Sequence, residues 1–244
     1  MRLRGLGVSC LWLDEVLTAE AADRGPRFIL RYTLSEVGLG PLPLSFFFEW
    51  LSRMAGRTEF WLRLPSALFG ALTVPLAAAV AWHLGRSRAA ALIAAALLAV
   101  SEHHIYYSRE ARGYALLALL ALLAFWLLAR SLESNRARGW IALGVVELAG
   151  LYTSYFFVFA HAALTAWGVL WLLYASARRE LPRRELLRRA AWLVGVALAA
   201  TAAFVPALAA GWENLAQFQR LHSQTIYSTE VGPWLGQTLR AWLP

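Results

Sequence analysis

The chain has 244 residues, 59% of them hydrophobic, with 23 basic and 15 acidic side chains and a formal net charge of +8. Its mean hydropathy of +0.51 and its apolar share lie well above the roughly 45–50% of a soluble domain, so a water-soluble globule is excluded. Every basic residue is arginine, and the arginines gather in short segments between apolar runs. That pattern signals membrane topology and not a nucleic-acid-binding stripe. The one cysteine, Cys10, excludes an intrachain disulfide and supplies no metal motif.

In chain order, Met1–Leu13 carries Arg2 and Arg4 and then only the short apolar run Gly5–Leu13. A span takes about 20 helical residues, and no small-residue cleavage site marks this as a signal peptide. Asp14–Arg63 reads as a long mixed loop with two amphipathic pieces. Inside it PLPLSFFFEWLSRM (41–54) is apolar for about two turns and then carries Glu49 and Arg53, as an interfacial helix would, with Glu49 on its polar edge. Six spans are predicted next. The first is Leu64–Leu84, opened by Pro65 at a helix start and closed by Gly85; then come Ala89 to about Tyr107, and Gly113–Ala129. Trp140–Ala175 would be about 54 Å long as one helix, so it must break near Gly150–Ser154 into two. Ala190–Ala210 is the sixth, and the tail from 211 to 244 carries Trp212, Trp234 and Trp242, which suit an interface. The fold expected is an all-α, polytopic transmembrane bundle in three parts, residues 1–63, 64–210 and 211–244, with juxtamembrane helices on an external loop.

Three alternate loops, 85–88, 130–139 and 176–189, hold eleven arginines; the opposite set, 101–112, 152–155 and the tail, holds four. The positive-inside rule puts the first set in the cytoplasm. Asp14-Glu15, the 101–112 loop and the tail then share the outer side. The first residues would have to start outside with no span to carry them there, so Arg2–Leu13 reads as the end of a preceding helix and the chain as a fragment.

The densest polar stretch is HHIYYSREARGYALLALL (103–120), caught between two apolar runs. Ionisable groups at a bilayer edge cost free energy unless they serve a purpose, and Asp14-Glu15 in LWLDEVLTAE is the natural partner. The two read as halves of one extracytoplasmic site. On its own an Asp-Glu pair is equally an acidic helix start, and arginines at a span end equally anchor to headgroups. Glu147 and His161, inside neighbouring apolar runs, are placed to face each other.

Three segments, LWLDEVLTA (11–19), TEFWLRLPSALFGALTV (58–74) and HIYYSREARGYALLALLALL (104–123), with GLYTSYFF (150–157) as a weaker fourth, resemble the C-type (GT-C) membrane glycosyltransferases. More narrowly the chain is similar to bacterial relatives of the dolichyl-phosphate-mannose–protein mannosyltransferases and of the aminoarabinose transferase of lipid A. The resemblance implies sugar transfer from a polyprenyl-phosphate carrier to a protein, lipid or glycan acceptor at the outer face of the cell (inner) membrane. In that scheme Asp14 is the candidate base, Glu15 positions it or helps bind a cation, and Glu110 is a further carboxylate in the site. Arg109 and Arg112 would grip phosphate, for which the guanidinium fork is suited, or pair with Glu110 or Asp14; His104 and Tyr107 would help bind the lipid phosphate or the sugar. No metal ligand set is assigned, since adjacent histidines on a helix diverge by about 100°; a divalent cation as cofactor is left open. The competing readings are a transporter or flippase of a lipid-linked substrate, built on Glu147 and His161, and a non-catalytic truncated membrane protein.

Overall fold

A computed structural model of the chain describes residues 2–35 and 42–226, with side chains at 2–33 and 42–213. The described residues form ten helices and no strand: α1 (Leu13–Arg24), α2 (Pro26–Ser35), α3 (Pro43–Arg53), α4 (Glu59–Gly85), α5 (Arg88–Val100), α6 (Glu102–Tyr107), α7 (Tyr114–Ser134), α8 (Ala137–Leu151), α9 (Phe157–Ala177) and α10 (Arg183–Ile226). Gly40, Pro41, Trp234 and Trp242 lie outside the described residues.

Among the described residues four helices are long and apolar enough to cross a membrane: α4, α7, α9 and α10 over Arg183–Glu213. The other two expected spans are shorter, 13 residues in α5 and 15 in α8. α5 stops because Ser101 turns extended (φ −60°, ψ 115°) and its hydroxyl caps the short α6 by accepting from the His104 N–H. α8 ends at Leu151, where the turn-rich stretch 152–156 begins, so the 36-residue apolar run does break where its length requires. Pro65 does not open α4. The helix starts at Glu59, a turn and a half earlier, and Pro65 lies inside it. At the other end Gly85 is the last helical residue, and Arg86 takes the left-handed conformation (φ 49°) that stops the helix. The stretch 14–35, expected as loop, is two helices, the second opened by Pro26.

The core forms around α7. Leu116, Leu120, Ala124, Leu128 and Leu132 recur every four residues and make one buried stripe. Against it pack Trp140 and Leu143 of α8, Leu164 of α9, and Leu193, Ala200 and Phe204 of α10. Lipid tails are as apolar as leucine, so close packing and internal hydrogen bonds hold such helices together. Glu147 and His161 supply one such bond (Oε2 to Nδ1, 3.1 Å), with the second imidazole nitrogen 3.2 Å from Thr201 Oγ1. These contacts tie α8, α9 and α10.

Two polar ends result. At one, His83 lies 3.4 Å from Glu133, and the Asn135 amide donates to Glu185 (2.8 Å); these residues flank the arginine-rich loops. At the other, the Leu42 and Leu44 N–H groups donate to the Thr153 and Tyr152 carbonyls (3.2 and 3.1 Å). The 108–113 turn meets α1 and α4 at this same end.

Gly70 lets that turn settle. A Cβ there would collide with the Ser108 side chain, whereas a Cβ at Gly195 on α10 meets nothing within 4 Å. Gly70→Ala is expected to lower stability in detergent by about 1–3 kcal/mol, the usual cost of overpacking. Gly195→Ala is expected to be neutral or slightly stabilising. Tryptophan-fluorescence melting curves of both variants check the contrast.

Candidate active site

The acidic pair sits in the first turn of α1, where the exposed N–H groups of a helix favour negative charge. One turn of helix sends its two carboxylates different ways. Glu15 is fully buried and takes both prongs of the Arg63 guanidinium, Nε at 2.8 Å and Nη2 at 2.6 Å. It also accepts the Ala111 N–H at 2.8 Å. Arg63 completes its donors on the carbonyls of Leu6, Ser9 and Cys10 (2.9, 3.0 and 3.1 Å). Burial by itself would raise the Glu15 pKa; the Arg63 hydrogen bonds, the Ala111 N–H and the Arg63 charge outweigh it and leave Glu15 below the usual carboxylate range. Three chain segments far apart in sequence (2–12, α4 and the 108–113 turn) therefore meet on one carboxylate.

Asp14 points to a more open place. Its Oδ2 lies 3.1 Å from Arg112 Nη1, and about a third of its side chain is exposed. Arg112 is further held over the Tyr114 ring (5.7 Å), while its carbonyl accepts the Ser66 hydroxyl (3.1 Å). Glu110, two residues before Arg112, is 93% buried. Burial pushes its carboxyl pKa up, partly opposed by a hydrogen bond from the Tyr106 hydroxyl and reinforced by the Glu15 charge. Glu15, Arg63, Arg109, Glu110, Tyr106 and Trp12 all line one cavity of about 520 Å³. Arg109 reaches over its edge and donates to the Gly5 carbonyl (3.2 Å).

The structure thus brings together Asp14, Glu15, Arg109, Glu110 and Arg112. It does not bring in Tyr107, which is stacked edge-on between Tyr106 and Tyr114 and is 42% exposed. His104 faces away from this cavity: its Nδ1 lies 2.9 Å from Arg2 Nη2. A continuous helix would have put His103, Tyr107, Glu110 and Tyr114 on one face, but α6 ends at Tyr107 and the turn breaks that alignment. Among the described residues no three His, Cys, Asp or Glu side chains converge on a point that could hold a metal ion.

Glu49 corrects a sequence expectation. It lies on the buried face of α3, 2% exposed, and its Oε2 has no partner among the described residues. Its buried neighbour Ser45 packs against Gly113, where a Cβ would come within 3.2 Å, so this face of α3 backs directly onto the 111–113 turn. α3 as a whole packs among α1, α2 and α4. Burial raises the Glu49 pKa to about 8, with its own backbone hydrogen bond and the Arg112 charge offsetting part of the effect. Arg63, Tyr106 and Arg2 were also not singled out from sequence. Arg63 alone carried a signal, being an arginine at the edge of an apolar run.

Residues 40–209 match the model of the dolichyl-phosphate-mannose-protein mannosyltransferase family. The chain belongs to that family. The protein is accordingly a membrane glycosyltransferase of the C type, and the match takes in the 103–120 stretch but starts after the acidic pair. No curated protein and no solved structure matches the chain.

Two outcomes are expected of this glycosyltransferase. Arg63→Gln strands the Glu15 charge in the interior and costs about 3–5 kcal/mol, and adding Glu15→Gln recovers most of the loss; thermal melts of the single and double variants measure it. For Glu49 the folded pKa lies above the ordinary 4.5, so the buried acid favours folding while protonated in both states. That contribution is lost as pH rises from 4.5 to about 8. Glu49→Gln is expected to be progressively more stable than the parent across that window and to hold a constant advantage above it.

Proposed function

We propose that the protein transfers a sugar from a polyprenyl-phosphate carrier to an acceptor hydroxyl or amine on the extracytoplasmic side of the cell membrane. The observation that carries the reading is the Asp14–Arg112 pair (3.1 Å) set beside a cavity walled by Arg109 and Glu110. Such transfer needs a base near the nucleophile and cations facing the phosphate that leaves. Asp14 is the more exposed carboxylate of the acidic pair and takes the acceptor proton. The acceptor oxygen or nitrogen then bonds to the anomeric carbon as the bond from that carbon to the phosphate oxygen breaks. The electron pair departs on the polyprenyl phosphate, whose charge Arg109 faces.

Glu15 takes a different part from the one its neighbour takes. Both of its oxygens are engaged by Arg63, and one also by Ala111, so it is a positioning residue that fixes α1 against the 108–113 turn and thereby aims Asp14. Glu110, with its raised pKa and its bond from Tyr106, keeps a proton further up the pH scale than an ordinary carboxyl. It suits hydrogen bonding to the sugar or to the phosphate. Glu147 and His161 lend no support to a transport reading, because they are spent on each other and on Thr201.

The test is transfer from a radiolabelled polyprenyl-phosphate sugar by the purified protein in lipid. Asp14→Asn is expected to lower turnover by about 10²–10⁴-fold with an unchanged melting temperature. Full turnover in a folded Asp14→Asn protein rejects Asp14 as base, and absence of any transfer by the parent rejects the reaction.

A further inference from the structure

Trp12 stands where the local rules call for another residue. It is the N-cap of α1 and makes no side-chain cap hydrogen bond, whereas Ser, Thr, Asn or Asp there would satisfy a free N–H of the first turn. The cap is completed from the other end. The Glu15 carboxylate, three residues on, accepts the Trp12 N–H, which is half of a capping box. Helix α1 therefore gains nothing from the indole. Nor does the core, since Trp12 is 46% exposed and, among the described residues, no aromatic ring or cation packs on its own ring. A residue that breaks a local preference with no gain to the fold marks a place kept for function.

Trp12 belongs to the wall of the cavity of about 520 Å³, together with Glu102, Tyr106, Arg109 and Glu110 from the 102–110 stretch. One broad apolar surface thus shares a cavity with carboxyl, hydroxyl and guanidinium groups, the general form of a small-molecule site. A tryptophan serving only as an interface anchor has no need of a place in such a wall. The face of an indole is electron-rich. The C–H bonds on one side of a pyranose ring carry the complementary partial charge, while its hydroxyls need donors and acceptors. Trp12 is also two residues from Asp14, and the Glu15 carboxylate that holds its N–H is the one bridged to Arg63. A sugar seated on Trp12 is therefore tied to the same rigid turn as the proposed base.

We propose that Trp12 is a specificity-determining residue for the transferred sugar: its indole takes the C–H face of a pyranose, and the side chains of residues 102–110 take the hydroxyls. The inference rests on the reading of the donor as a lipid-linked sugar. The class of sugar follows from the charges around it. Glu102 and Glu110 disfavour a sugar acid, so the ring is a neutral or amino pyranose. Trp12 lies before the stretch 40–209 that matches the family, and its part is read from this chain alone.

The experiment measures equilibrium binding to the full chain in phosphatidylcholine nanodiscs, with no acceptor present. The probes are bare polyprenyl phosphate and its mannosyl, glucosyl, galactosyl, glucosaminyl and glucuronosyl derivatives. The parent is expected to bind a neutral or amino-sugar probe more tightly than the bare carrier, and the glucuronosyl probe no better than the bare carrier. Trp12→Ser places a preferred cap residue on α1, so its melting temperature is expected to hold or rise. The advantage of the sugar-bearing probe is expected to fall roughly three- to tenfold, with binding of the bare carrier unchanged. Trp12→Phe keeps an aromatic face and is expected to retain most of the preference; Trp12→Leu, apolar without that face, repeats the loss should the serine variant not fold. A Trp12→Ser protein that keeps the preference overturns the proposal. So does one that loses bare and sugar-bearing carrier alike, which would mark Trp12 as a lipid anchor, and so does a parent that favours no sugar or favours the glucuronosyl probe. Binding requires no turnover. A parent that distinguishes the sugar yet transfers none therefore sinks the reaction alone, and one that transfers sugar while Trp12→Ser keeps its preference sinks the part of Trp12 alone.

Discussion

A single buried carboxylate organises this end of the molecule. Glu15 gathers a guanidinium from α4 and an N–H from the 108–113 turn, and the same guanidinium collects three carbonyls from residues 6–10. Removing two charges from water is expensive unless geometry and extra hydrogen bonds compensate. Here both carboxylate oxygens and the guanidinium are fully engaged, so the bridge defines one relative placement of α1, α4 and the turn. Asp14, the next residue back, inherits its direction from that placement, and Arg112 inherits its own from the turn.

Four carboxyl groups lie within this small region in four environments. Glu15 is held ionised by its arginine, Asp14 is half open and paired once, Glu110 is buried beside Tyr106, and Glu49 is buried with one oxygen unmet. Environments that spread the proton affinities of neighbouring acids allow each to take a different part at one pH. Glu49 stands apart in offering nothing evident to the bridge or to the cavity. Its proximity to the 111–113 turn makes it a neighbour of Arg112 that carries charge only on the alkaline side.

The all-helical architecture was legible from the sequence because length alone decides it: apolar runs of span size between arginine-rich loops leave few alternatives. The break near residue 152 was readable for the same reason. The meeting of Asp14-Glu15 with the 109–112 patch was readable because both are polar stretches stranded at span ends. What sequence could not supply was the direction of individual side chains. Periodicity places His103, Tyr107, Glu110 and Tyr114 on one helix face, but α6 ends at Tyr107 and the turn that follows breaks the alignment. Glu49 reads as a polar edge because helix pattern does not reveal that this face of α3 is buried. Arg63 reads from sequence only as the end of the first loop, because nothing near it shows a partner 48 residues away.

The shortness of α5 has a consequence for the surroundings of the chain. Thirteen residues rise only about 20 Å, against a hydrocarbon layer of about 30 Å. A lipid leaflet alongside such a stub must dip or compress to keep its tails off the polar backbone at Ser101, a local mismatch whose cost is spread over the annulus of lipids. In a bilayer such a stub is expected to leave a dimple beside α5, lowering the headgroup plane toward the turn, so that an amphiphile arriving from the side would meet the protein's charges without having to climb out of the bilayer.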